Sequence, residues 1–173
     1  MKKIICLIYF ITLLAYGCKP DRDCCMVAQR PSGMTAVKNG ATWSPLGVSG
    51  VLGDDSYTIA AGSFTSSSST YTKIDSLNIQ IATAATVESY KLSGSQVYYA
   101  LFGASGTIST IYKLDTTFNN VLNITSYKEM DNQYAIDQNY VEIKGTFNIK
   151  FIDPSNASGI SFSNGSFFTT IKH

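Results

Sequence analysis

Histidine is almost missing from this chain. The single one is His173, the last residue. Histidine triads, multi-histidine metal sites and a buried imidazole base therefore have no residues to be built from. No cysteine lies beyond Cys25, so the rest of the chain has to be held by its core, without disulfides. Charge is also scarce. Charged residues are 14% of the chain, against a usual figure of about 25%. With a net charge of +1 the electrostatic footprint of a nucleic-acid binder is absent. No apolar run approaches the roughly twenty residues of a membrane-spanning helix. Beyond the first segment, no stretch of ten or more residues keeps a helical period. Glycine-rich phosphate loops, Gly-x-Ser-x-Gly elbows and His-Glu-x-x-His helices are absent too.

Beyond residue 32 the acids are Asp54, Asp55, Asp75, Glu88, Asp115, Glu129, Asp131, Asp137, Glu142 and Asp153. A glycosidase needs two carboxyls facing each other across a cleft. These acids fall at turns and on the polar faces of strands, and are read as solvated. The Asp131-Asn132 and Asp137-Gln138-Asn139 cluster matches no calcium-loop spacing and reads as a hairpin loop. No catalytic residue, metal ligand or cofactor is assigned, and an enzyme is not expected.

What is present is a β pattern. Hydrophobic residues make up 45% of the chain, with 11 tyrosines and 9 phenylalanines. Short alternating runs of Val, Ile, Thr, Tyr and Phe are separated by Gly, Asn, Asp and Ser. Asn39-Gly40, between Thr35–Lys38 and Ala41–Trp43, predicts a type I′ hairpin. Gly53–Ser56 is the next turn, before Tyr57–Ala61. The serine-rich stretch Ser63–Thr72 reads as a loop or frayed edge. Leu77, Ile79 and Ile81 alternate with polar residues. Val97–Phe102, Ile108–Leu114 and a run from Leu122 toward Tyr127 follow.

Tyr140–Phe151 is the clearest strand. Val141, Ile143, Gly145, Phe147, Ile149 and Phe151 share one face, with Glu142, Lys144, Thr146, Asn148 and Lys150 on the other. Gly145 within it marks a bulge, a bend or a close backbone approach. Asp153–Asn156 turns the chain, and Asn164-Gly165 predicts a closing hairpin. The fold class is all-β: an antiparallel β-sandwich or partly closed β-barrel of roughly nine to ten strands.

The first residues are a processing signal. Lys2 and Lys3 precede the apolar run Ile4–Ala15, and Leu14-Ala15-Tyr16-Gly17-Cys18 resembles a bacterial lipobox. That resemblance implies cleavage after Gly17 and lipid on Cys18, which becomes the membrane anchor. The organisation is then a lipoprotein signal peptide over 1–17, a lipidated tether over 18–32 and a single antiparallel β domain over 33–173. Removing the leader takes two lysines and no acid, and turns the net charge from +1 to −1. The acidic residues of Lys19-Pro20-Asp21-Arg22-Asp23 resemble a Bacteroidota surface-export signal, interrupted here by Pro20 and Arg22. Adjacent Cys24 and Cys25 could bridge only in a strained ring, and read as free or intermolecularly bridged thiols.

Several motifs in order carry a wider resemblance. They are Asn39-Gly40 with Trp43, the Tyr57–Ser63 strand, Leu77-Asn78-Ile79-Gln80-Ile81 and Tyr90-Lys91-Leu92. Gly106-Thr107-Ile108, Ile143-Lys144-Gly145-Thr146-Phe147 and Ser163-Asn164-Gly165-Ser166-Phe167 complete the series. Behind a lipobox, this series resembles a family of uncharacterised Bacteroidota lipoproteins. The resemblance implies an envelope lipoprotein with an antiparallel β-fold, and brings no catalytic residues with it.

The expected function is a noncatalytic binding or interaction module of the cell envelope, of adhesion or scaffold type. It is held at the outer membrane through Cys18, at the cell surface or on the periplasmic face. The alternative is a lipocalin-like carrier of a glycan or apolar small molecule. Expected partners are the membrane and a glycan or envelope protein, with no nucleic acid. Trp43 is expected in the core; with Tyr98 and Tyr99 it is also a candidate for stacking on a ligand. Asp75-Ser76-Leu77 resembles a Bacteroidota O-glycosylation sequon, which makes Ser76 a candidate acceptor. Replacing Cys18 by Ser should move the protein from the membrane to the soluble fraction and abolish incorporation of a labelled fatty acid. Retention of both would remove Cys18 as the anchor.

Overall fold

A computed structural model describes residues 32–67, 70–82, 86–131, 139–155 and 158–172. The leader, Cys18, Cys24, Cys25, Asp137 and His173 lie outside the described residues. Eleven strands are described: β1 (Gly33–Lys38), β2 (Ala41–Trp43), β3 (Gly47–Leu52), β4 (Ser56–Ser67), β5 (Thr70–Ala82) and β6 (Ser89–Lys91). They continue with β7 (Val97–Phe102), β8 (Ile108–Leu114), β9 (Val121–Asp131), β10 (Asn139–Ile152) and β11 (Gly159–Lys172). All pair antiparallel in one sheet that is not closed into a barrel.

The sheet bends over on itself. One layer runs β2-β1-β11-β10-β9-β6. The other runs β3-β4-β5-β7-β8. β8 joins them: Ile108–Tyr112 pairs with β7, while Lys113 and Leu114 pair with Ile152 and Phe151 of β10. A strand shared by two layers lets one sheet bury its own inner face, as a sandwich does. The link is reinforced just past β8. Buried Asn120 accepts from the Lys150 amide at 2.8 Å and donates to the Asp115 carbonyl at 2.7 Å.

The inner faces follow the alternation of the strands. Val141, Ile143, Phe147, Ile149 and Phe151 are buried, as are Leu77, Ile79 and Ile81. Tyr57, Tyr99, Phe147, Phe151 and Phe162 fill the space between the layers. The Tyr99 and Phe162 rings meet edge to face at 5.2 Å, and Phe151 meets Phe162 the same way at 6.0 Å.

Three local expectations are corrected. The Ser63–Thr72 stretch is largely strand, because β4 and β5 extend as a long hairpin through register Ser67↔Thr70. Cross-strand pairing outweighs the weak strand preference of serine. Second, the strand set is larger than nine to ten, because Gly47–Leu52 pairs along β4 and Ser89–Lys91 along β9. The first is built on small residues and the second is three residues long.

Third, Asn164-Gly165 is not a hairpin. It lies inside β11, where Asn164 has φ 51° and adds one residue against both neighbours. A left-handed Asn serves a bulge as well as a turn. The amide of Asn164 is held by Asn148 Oδ1 at 2.9 Å. Asn39-Gly40, with φ of 48° and 85°, does form the expected turn between β1 and β2.

Gly145 and Gly165 sit where large rings need room. Gly145 pairs directly with Phe167, and Phe147 with Gly165. A Cβ on Gly165 would stand 2.5 Å from the Phe147 ring, and one on Gly145 2.7 Å from the Phe167 ring. Each phenylalanine therefore lies over the glycine opposite it. The ladder to β9 also shifts between Lys144 and Gly145, so the glycine marks both a bulge and a close approach. Gly165→Ala should lower stability by about 1–3 kcal/mol in urea unfolding, the cost of overpacking. Adding Phe147→Leu to Gly165→Ala should cost less than the sum of the two single changes. Strict additivity would show that the two positions do not share space.

Candidate functional site

Two features stand out from the packed frame, one inside and one outside. The inner one starts from strand parity. Met34 and Ala36 point inward from β1, and Lys38 falls on the same side. Asp75 shares the inward side of β5 with Leu77, Ile79 and Ile81. The two charged residues come from opposite layers and meet, Lys38 Nζ lying 2.8 Å from Asp75 Oδ2. Asp75 is only 3% exposed.

Four groups donate to this carboxylate. The Tyr99 hydroxyl reaches Oδ2 at 2.7 Å and Trp43 Nε1 reaches it at 3.3 Å. The Ser63 amide donates to Oδ1 at 3.0 Å. Lys38 completes the set, and it also donates to the Tyr99 hydroxyl oxygen. Trp43 Nε1 additionally meets Ser63 Oγ at 2.9 Å. Burial by itself would raise the Asp75 carboxyl. The hydrogen bonds from Lys38, Tyr99 and Ser63 outweigh it and hold the group below its ordinary value. Tyr99 moves the other way: burial first, then the neighbouring Asp75, push its hydroxyl well above the usual tyrosine range.

The outer feature is a groove of about 760 Å³ on the solvent face of the β1-β11-β10-β9 layer. Alternation turns the side chains of Thr35, Ser166, Thr170, Thr146 and Glu142 toward it. Phe168, 39% exposed, lies over Gly33, where a Cβ would sit 2.5 Å from the ring. The missing side chain lets the ring rest on the sheet beside the groove. Thr35 and Ser166 share a hydroxyl hydrogen bond at 3.0 Å, and Lys144 Nζ pairs with Glu142 Oε1 at 3.0 Å. The groove therefore offers one aromatic face, a rim of hydroxyls and one ion pair. That is a set of groups for holding a polar ligand. None of them is an activated nucleophile.

The candidates named from the sequence fall in three places. Trp43 is buried as expected for the core, edge-on to Phe162 at 5.0 Å. Tyr99 is fully buried, whereas Tyr98, its neighbour on β7, is 47% exposed on the opposite face. The three aromatics therefore form no common stacking surface, because adjacent strand residues point to opposite sides. Ser76 is corrected too. It is 2% exposed, flanked by Gly62 of β4 and Ala100 of β7, and its hydroxyl accepts from Asn78 at 3.2 Å. A glycosyl donor has no access to it in the folded chain. Cys18 lies outside the described residues.

Lys38 and Asp75 are not candidates by residue type, and Asp75 is expected among the solvated acids. The signal was available in parity, since each sits two residues from an apolar residue of its inward face. No family model, curated protein or solved structure matches this chain. Tyr99→Phe removes one donor from a buried carboxylate and should cost about 1–3 kcal/mol in urea unfolding. A loss under a few tenths would mean that Asp75 does not depend on that hydroxyl.

Proposed function

We propose that this chain is a lipid-anchored, noncatalytic interaction module of the bacterial outer membrane, of adhesion or scaffold type. The leader pattern Lys2-Lys3, Ile4–Ala15 and Gly17-Cys18 supports the anchoring. The observation that carries the interaction role is the filled interior. Tyr57, Tyr99, Phe147, Phe151 and Phe162 occupy the space between the layers. A lipocalin-like carrier needs that space for its ligand. Recognition is therefore assigned to the outer surface, and the groove beside Phe168 is the place for it.

In this reading a short tether joins the groove to the anchor. Gly33 both begins β1 and lines the groove. Gly33 lies fifteen positions after Cys18. Even fully extended, that stretch spans on the order of 50 Å. A module held so near the membrane meets envelope glycans and envelope proteins at high local concentration. The hydroxyl rim, the aromatic face of Phe168 and the Glu142–Lys144 pair suit a glycan, which needs stacking and directional hydrogen bonds together.

The test is calorimetric titration of the folded domain with polysaccharide purified from its host's envelope. Phe168→Ala and Lys144→Ala should each weaken binding at least tenfold while leaving the thermal midpoint nearly unchanged. Binding unaffected by both substitutions would move recognition off this groove. Heat-stable release of a small apolar molecule from the purified domain would restore the carrier reading.

A further inference from the structure

We propose that Lys38 and Asp75 condense to an intramolecular amide that joins the two layers covalently. The pair has the required placement. Lys38 comes from the first strand of one layer and Asp75 from the middle of the other, and they meet with Nζ 2.8 Å from Oδ2. The Asp75 side chain is 4% exposed and that of Lys38 25%. Trp43, Tyr99 and Phe162 stand around them, their rings 5.0 to 5.2 Å apart across the cluster. Burial works toward the neutral amine–acid form, against the hydrogen bonds that favour the carboxylate, and the contact holds the two groups together for the step.

The surrounding donors are placed for each stage of the condensation. A proton first passes from the Lys38 ammonium to the Asp75 carboxylate, leaving a neutral amine and a carboxylic acid. The Nζ lone pair then attacks Cγ, and the C–N bond forms. Negative charge builds on Oδ1, which faces the Ser63 amide at 3.0 Å, as an oxyanion faces its donor. The Tyr99 hydroxyl is hydrogen-bonded to both Nζ and Oδ2. It passes a proton to the departing Oδ2 hydroxyl and regains one from Nζ. The Cγ–Oδ2 bond breaks, the carbonyl re-forms and one water leaves. No oxidant or second reactant takes part.

The bond would do here what a disulfide does elsewhere. No cysteine lies beyond Cys25, so the strands have no such tie. A link between residues 37 positions apart constrains the unfolded chain in the same way. It also fastens β1, the first described strand, to the opposite layer.

The mass of the denatured chain tests this directly. The mature chain carrying Cys18→Ser should be lighter than its sequence by one water. Its digest should contain a branched peptide that joins Lys38 to Asp75. Lys38→Arg keeps the positive charge, and Asp75→Ala removes the acceptor carbon; both should return the full sequence mass. Circular dichroism on the wild-type sample establishes that the protein weighed had folded. A folded wild-type protein of full mass, with Lys38 freely acylated once denatured, overturns the proposal.

Discussion

An antiparallel sheet has two faces, and a chain with no described helix has nothing but its own strands to cover the inner one. This constraint governs the molecule. The sheet meets it by bending through β8, which pairs with β7 at one end and β10 at the other. Everything inside follows from that bend. Aromatic side chains from both halves interdigitate, and the layers stay a ring's width apart. Asp115 and Asn120 hold the backbone just past β8 against Lys150 of β10. The bend is thus secured by directional bonds as well as by burial.

A filled interior redistributes the chemistry. The Lys38–Asp75 pair, drawn from the two layers, lies near the edge of one of them, at the end of β1, where Lys38 retains partial exposure. Its carboxylate is surrounded by donors on both oxygens, as a buried charge must be. The opposite side of the same layer carries threonine and serine hydroxyls around a groove. Inward and outward positions of β1 therefore serve different purposes within six residues. Lys38 faces Asp75 and Thr35 faces Ser166.

Some of this was legible in the residues. The Tyr140–Phe151 alternation appears in the structure position by position, because a strand buried on one face has only one workable parity. Asn39-Gly40 likewise adopts the expected turn. Asn164-Gly165 carries the same dipeptide and adopts a bulge. Local sequence specifies a positive φ, but whether the chain then reverses depends on strands far away. The serine-rich segment after Ser63 follows the same logic, since its pairing with the next segment replaces the weak preference of each residue. Ser76 and Tyr99 are candidates by residue type, and the neighbouring strands bury both of them.

The sequence alone determined the all-β class, the inward faces of the long strands and the absence of cysteine beyond Cys25, since each depends on residue type and short spacing. The tertiary structure decided which strands share a ladder, where the sheet bends and which polar groups lie inside. Those outcomes depend on contacts between residues dozens of positions apart. Lys38 and Asp75 show the difference most clearly. Parity could indicate that each points inward, but only the bend of the sheet could bring them to the same place.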